Sequence, residues 1–337
     1  ARLTFFGLFA LQHRGQETAG IVSAFINPEG KWRHRAHRGL GLVADVFTRE
    51  ILESLKGRVA IGHVRYSTTG APIPSNTQPV AASLRLGPMA LAHNGNLTNA
   101  HTLRRNLKAR GAIFQTSVDT EVLLHLTSRA EGENFEDCLI AALRQVRGAY
   151  SLVVLHGETL YAVRDPYGFR PLALGRLPGG AWAVASESVA FDLLNAALVR
   201  DIEPGEIVRI DPGTTAEPVS LRPFDPVAPA RCIFEHIYFS RPDSIVDGHS
   251  VQRMRERMGT ELWREHPAEA DVVIPVPDSS NAAAMGFARA GRLSFEMGLI
   301  RSHYIGRTFI EPSQRIRDFG AKIKYNPVRA VVSGRRV

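Results

Sequence analysis

The stretch MALAHNGNL, residues 89–97, decides how this chain is read. Met89-Ala90-Leu91-Ala92 is a short apolar run that leads straight into His93-Asn94-Gly95. A strand that runs into Asn-Gly brings a side-chain amide and an unobstructed backbone N–H to one point. That is how a fold builds a hole for a developing oxyanion. Asn-Gly is also the strongest two-residue hairpin signal, and taken alone the pair reads as a turn. Its neighbours in the chain change that reading.

Two charged residues keep it company. VAIGHVRYSTTG (59–70) is a strand-like run that delivers Arg65. A guanidinium is planar and always charged, and it grips a carboxylate with two parallel hydrogen bonds. Arg65 reads equally as half of a surface ion pair. TSVDTEVLLHL (116–126) places Asp119 just ahead of the helical pattern Val122, Leu123, Leu126. There it serves either as an N-cap or as the anchor of an ammonium group. Together the three features offer a cation for a carboxylate, an anion for an ammonium, and donors for a carbonyl oxygen that becomes negative. That set complements free glutamine. Two charge-assisted bonds at about 1.5–3 kcal/mol each hold the zwitterion and place the amide by geometry.

A length of 337 residues favours two domains. Hydrophobic content of 44% and charged content of 22% are ordinary for a globular protein. No apolar run approaches the ~20 residues needed to span a bilayer. LTFFGLFAL (3–11) leads into polar QHRGQE without a small-residue cleavage site, so it reads as a packed amphipathic helix. Two cysteines far apart argue against a disulfide scaffold and for a cytoplasmic enzyme. Cys138, on a helix with Phe135, Leu139, Ala142 and Val146, reads as a buried small hydrophobe. The net charge of +8 invites a nucleic-acid partner. The arginines are scattered and no basic run interleaves with aromatics, so neither nucleic acid nor membrane is expected. His34-Arg35-Ala36-His37-Arg38 reads as an exposed strand, because adjacent cations repel a metal ion.

Strands are expected at 20–26, 32–38, 59–68, 86–93, 149–156, 159–164, 181–186 and 206–211. Helices are expected at 3–13, 99–110, 120–130 and 135–147, with a cap at Thr98 and a stop at Gly111. Strands that dominate, with helices in blocks, point to sheets covered by helices. The expected division is a first domain at 1–217, a proline-rich linker at 218–229 and a second domain at 230–337. In the second, the buried strand 271–276 runs into Pro277-Asp278-Ser279-Ser280 and a helix from Ala282, an arrangement that suits an anion. Asp278, Ser279 or Ser280 serves equally as a plain N-cap.

LQHRGQETAGI (11–21), GHVRYSTTG (62–70), LAHNGNLTNA (91–100), the surroundings of Asp119 and RDPYGFRPL (164–172) resemble the glutaminase half of the glutamine phosphoribosylpyrophosphate amidotransferases. FEHIYFSRPDS (234–244), VVIPVPDSS (272–280) and YIGRTFIEPSQ (304–314) resemble the phosphoribosyltransferase half. The resemblance covers essentially the whole chain, in order. It implies an α+β N-terminal-nucleophile αββα sandwich followed by a truncated α/β type I phosphoribosyltransferase domain.

The resemblance implies glutamine hydrolysis through a thioester, with Asn94 and Gly95 as the oxyanion hole and Arg65 and Asp119 on the amino-acid end. Ammonia would then displace pyrophosphate from phosphoribosyl pyrophosphate, giving 5-phosphoribosylamine, the first step of purine synthesis. On the sugar side it implies Asp278, Ser279, Ser280, Tyr304, Gly306, Arg307 and Thr308, with Ser279 beside a Mg²⁺. Cys232 aligns with the first ligand of a [4Fe–4S] cluster that some members hold and others lack. Purine nucleotides as feedback inhibitors and a homotetramer are implied as well. The family nucleophile is an N-terminal cysteine. The chain starts at Ala1 and stops at Val337, so it is expected to be a fragment without that thiol or the phosphate cradle, running neither half-reaction. Competing expectations are a non-catalytic glutamine-binding relative and a class II glutaminase joined to another acceptor domain.

Overall fold

Alternate side chains of a strand face opposite ways, and here they enter two different cores. The computed structural model describes residues 1–66, 73–213, 216–303 and 314–337. The strands of its first part are β1 (Thr18–Ile26), β2 (Trp32–Leu40), β3 (Val59–Arg65), β4 (Val80–Leu84), β5 (Gly87–Leu97), β6 (Gly148–His156), β7 (Thr159–Arg164), β8 (Ala173–Arg176), β9 (Trp182–Ala185), β10 (Ala197–Asp201), β11 (Ile207–Ile210) and β12 (Val219–Leu221). They form one six-stranded sheet in the order β12-β11-β7-β6-β5-β4 and two three-stranded sheets, β2-β1-β3 and β10-β8-β9. The helices are α1 (Arg2–Ala10), α2 (Val43–Val46), α3 (Arg49–Ser54), α4 (Ala100–Ala109), α5 (Glu121–Arg129), α6 (Phe135–Leu143) and α7 (Val189–Leu193).

On β5 and β6, Met89, Leu91, Leu152 and Val154 pack under α4, α5 and α6 with Val122, Leu123 and Leu139. Ala90 and Leu155, on the opposite faces, meet Val22, Ala24 and Ile61 of the second sheet. On β1, Ala19 and Ile21 turn outward to Leu8, Val43, Val46 and Ala190 under α1, α2 and α7. The order of layers is therefore helix, sheet, sheet, helix, as expected. The basic run 32–38 is an edge strand with exposed Arg33 and Arg35, and its histidines bond backbone oxygens of Gly157 and Val46. Cys138 is fully buried, its thiol donating to Ala130 O.

The expected 218–229 linker is not where the compact units divide. Strand β12 lies inside it and pairs with β11, completing the large sheet. The first unit takes in residues 1–235 and 239–248, and the second takes in 236–238 and 249–337. Other departures are local. The cap of α4 is Asn99, whose amide ties to Gln145 O and Arg147 N instead of the helix end. Gly111, at φ +79, ends that helix as expected.

The second unit is built on α8 (Val251–Glu265) and α9 (Asn281–Gly291). They approach closely because Gly259 faces the backbone of Ala283 and Gly286 faces the backbone of Glu256. Parallel strands Val272–Val273 and Ser294–Phe295 flank α9 in sequence, giving a strand–helix–parallel strand unit. Leu299–Arg301 pairs antiparallel with Tyr325–Pro327. Among the described residues no helix is long and apolar enough to cross a membrane.

Candidate active site

Strand β5 does not turn at Asn94-Gly95. It continues to Leu97, pairing Asn94 with Ser151 and Gly95 with Tyr150 of β6. The hairpin reading is therefore overturned: the register with β6 holds through the pair. Gly95 sits at φ +153, and a Cβ there would run into the Ala149 carbonyl. Only glycine fits that conformation beside that strand. The Asn94 Nδ2 is out of solvent reach and has no hydrogen-bond partner among the described residues. A buried donor left unpaired is costly, and the residue that carries it lines a cavity.

Pairing with β4 stops at Leu91. Beyond it, side chains take over the open edge of β5. Gln78 Oε1 accepts from the His93 N–H at 2.9 Å, and Asp119 Oδ2 accepts from the Leu97 N–H at 2.8 Å. Strand alternation places the Gly95 N–H on that same edge, between the two. Asp119 is thus more than a cap. Its Oδ1 does accept from Thr120 N at 2.9 Å, but Thr120 is the N-cap and Asp119 also ties α5 to the end of β5. Burial alone would raise the Asp119 pKa; the His93 imidazole, 3.6 Å away, and the Leu97 and Thr120 N–H groups override it and keep it below the usual range.

Arg65 is the last residue of β3, opposite Thr18 of β1, and is 4% exposed. Burial lowers its pKa while the Glu17 and Asp119 carboxylates oppose that shift. Arg65, Asp119, Asn94 and Gly95 line one cavity of about 140 Å³. The three features read from separate stretches converge. An apolar cavity of about 710 Å³ adjoins it and shares His63, His93, Asn94 and Ser186.

The same wall holds residues with no earlier assignment. Arg14, Arg170 and Phe239 line the cavity beside Gln78 and His63. Arg14 is buried between two carboxylates: its Nη1 donates to Glu187, and Nη1 and Nη2 form a fork on Glu235 at 3.0 and 2.9 Å. Its guanidinium stacks over Phe239, 4.4 Å from the ring centre. Arg170 donates to Glu235 at 2.9 Å. These residues lie inside QHRGQ, RDPYGFR and FEHIYF, so the signal was an unexplained arginine in each of two motifs and an acidic–aromatic run in the third.

The sugar-side residues lie in the second unit. Asp278 and Ser279 are exposed, and Asp278 pairs with Arg301 at 3.1 Å. Ser280 holds the N-cap position of α9, but its hydroxyl turns back to Val276, accepting from N at 2.6 Å and donating to O at 2.8 Å. The expected Tyr304, Gly306, Arg307 and Thr308 fall outside the described residues. No cluster of three or more histidine, cysteine or acidic side chains suited to a metal occurs among the described residues.

The layered fold and this cavity define a glutamine amidotransferase domain. The family model with that description matches residues 63–193. The chain is 50% identical to amidophosphoribosyltransferase 1, chloroplastic, of Arabidopsis thaliana, covering all of this chain and 58% of that one. It is 47% identical to amidophosphoribosyltransferase of Rhizobium etli, covering all of this chain and 67% of the relative. A solved structure of glutamine phosphoribosylpyrophosphate amidotransferase from B. subtilis, complexed with ADP and GMP, superposes with a TM-score of 0.90 at 43% identity, over all of this chain and 71% of that one. The chain belongs to the amidophosphoribosyltransferase family, with a phosphoribosyltransferase-like region after the glutaminase domain. It spans 58–62% of the length of the three Arabidopsis relatives.

Proposed function

We propose that this chain carries the glutamine site of an amidophosphoribosyltransferase. That enzyme hydrolyses glutamine and passes the ammonia to phosphoribosyl pyrophosphate, yielding 5-phosphoribosylamine for purine synthesis. The observation that carries the reading is the single cavity lined by Arg65, Asp119, Asn94 and Gly95. Arg65 takes the α-carboxylate and Asp119 the α-ammonium. The Asn94 amide and the Gly95 N–H receive the carbonyl oxygen as it becomes negative. Electrostatic stabilisation of this kind supplies the largest single contribution in acyl transfer, so Asn94→Ala lowers turnover in the intact enzyme by about 10²–10³. In this reading the nucleophile is a cysteine thiolate attacking the amide carbon from beside these donors. The C–N bond then breaks, ammonia leaves with a proton from the nucleophile's own α-amino group, and water hydrolyses the thioester to glutamate.

On the sugar side, Asp278, Ser279 and Ser280 receive the pyrophosphate group, joined by Tyr304, Gly306, Arg307 and Thr308. Their oxygen donors suit Mg²⁺, which arrives with substrate phosphates. A [4Fe–4S] cluster would take Cys232, which sits beside Arg170, as one of its four thiolates; Cys138, sealed in the α5–α6 core, is not suited to it. Feedback by purine nucleotides, a homotetramer and a cytoplasmic site complete the proposal.

Calorimetry with glutamine tests the reading directly. Saturable 1:1 binding that weakens at least tenfold in Arg65→Lys is the expected result, because a point charge cannot replace the fork. Glutamine that fails to bind refutes it.

A further inference from the structure

His63 and Arg65 stand two apart on β3 and so share a face. His63 Nε2 lies 3.1 Å from the backbone oxygen of His93, the residue before Asn94. A carbonyl oxygen only accepts, so Nε2 carries the proton. The imidazole is neutral: burial, helped by the nearby Arg65 charge, outweighs the hydrogen bond to the His93 carbonyl and pushes its pKa down to about 4. A neutral ring protonated at Nε2 leaves a bare lone pair at Nδ1. That atom is out of solvent reach and has no hydrogen-bond partner among the described residues.

Two residues that line one cavity therefore each hold a buried atom with no hydrogen-bond partner among the described residues: a donor, Asn94 Nδ2, and an acceptor, His63 Nδ1. They do not bond to each other. What satisfies both is a group that accepts at one atom and donates at its neighbour, and a primary amide does this. Its carbonyl oxygen takes the Asn94 N–H, and its –NH₂ gives a hydrogen to His63. A carboxylate has no hydrogen to give and sets a second negative oxygen against the Nδ1 lone pair. A site built to bond a particular N–H rejects the analogue without it, since the buried acceptor is then left unpaired.

We propose that His63 Nδ1 is the acceptor for the substrate's amide –NH₂, and so the residue by which the site discriminates glutamine from glutamate. The proposal rests on the glutamine reading of the cavity. It gives His63 a place in substrate recognition and none in proton transfer: the Nε2 proton stays on the His93 carbonyl throughout.

The test is calorimetry of glutamine and of glutamate on the unmodified chain, His63→Phe and His63→Gln. Phenylalanine removes the acceptor, while the side-chain oxygen of glutamine can restore it. In His63→Phe the glutamine-over-glutamate affinity ratio falls about tenfold, by loss of glutamine binding, and in His63→Gln most of the ratio returns. A purely structural role would weaken both ligands alike and leave the ratio unmoved. An unchanged ratio in a folded His63→Phe overturns the proposal and leaves the glutamine site standing. Should the phenylalanine variant not fold, a His63→Gln ratio that falls about tenfold or more overturns it. Absence of glutamine binding to the unmodified chain ends both readings.

Discussion

Replacing Arg14 with methionine keeps most of the side-chain length and removes the charge. It strands two carboxylates. Glu187 and Glu235 have side chains 0% and 2% exposed. Removing one partner of a buried ion pair costs about 3–5 kcal/mol, because the remaining charge cannot return to water. Here the loss is blunted. Glu187 keeps His13 at 2.7 Å, the Arg241 N–H at 3.0 Å and Ser244 at 2.7 Å, while Glu235 keeps Arg170 at 2.9 Å and Ser240 at 2.7 Å. The lower end applies, about 3 kcal/mol, against a total stability of about 5–15 kcal/mol. For a unit of this size that lowers the melting temperature by about 6–12 °C. Adding Glu187→Gln should recover part of it, since one stranded charge is gone. A calorimetric melt of the single and double variants reads both effects. A shift under about 2 °C, or a double variant no better than Arg14→Met, refutes the idea that Arg14 neutralises the pair.

The same carboxylate sets an acid limit. Burial would raise the Glu187 pKa, but the His13 hydrogen bond and the Arg14 charge override it and bring it to about 2. Stability from this group is full above the unfolded value of ~4.5 and fades as pH falls toward 2, so melting temperature should drop over that window in the wild type and more gently in Glu187→Gln. In the second unit, Gly286→Ala drives a Cβ into the Glu256 backbone and should cost about 1–3 kcal/mol. Limited proteolysis should then cut beyond residue 249 and leave the first unit intact; equal resistance would exclude the clash. Asp119→Asn keeps its shape and the acceptor for Leu97 N–H, yet should weaken glutamine binding by about 10–100-fold. An unchanged Kd would remove Asp119 from the ammonium site.

Much of the layering was legible because the apolar runs in 20–26, 86–93 and 149–156 mark strands buried on both faces. The short strands β4, β8 and β10 escaped notice, since four or five residues carry too few alternations to stand out. Asn94, Gly95, Arg65 and Asp119 were legible as chemistry, but their meeting in one cavity was not, because it depends on two sheets stacking. Asp119 was half-read: an acid ahead of a helix signals a cap, and nothing local says that its other oxygen holds a strand residue 22 positions earlier. Arg14, Glu187 and Glu235 are 173 and 221 positions apart in their pairings, beyond any local pattern. The turn that Asn94-Gly95 signals when taken alone does not form, because glycine answers a different need there, the close approach of the Ala149 carbonyl.

That unbroken strand has a consequence for recognition. Past Leu91 the ladder lacks its outer rung, and Gln78 and Asp119 act as end-stops on either side of one gap. A ligand oxygen that settles there takes the seat a neighbouring chain's backbone would occupy. In the glutamine reading, binding is the completion of a sheet by a single small molecule, held where little of the edge is left unclaimed.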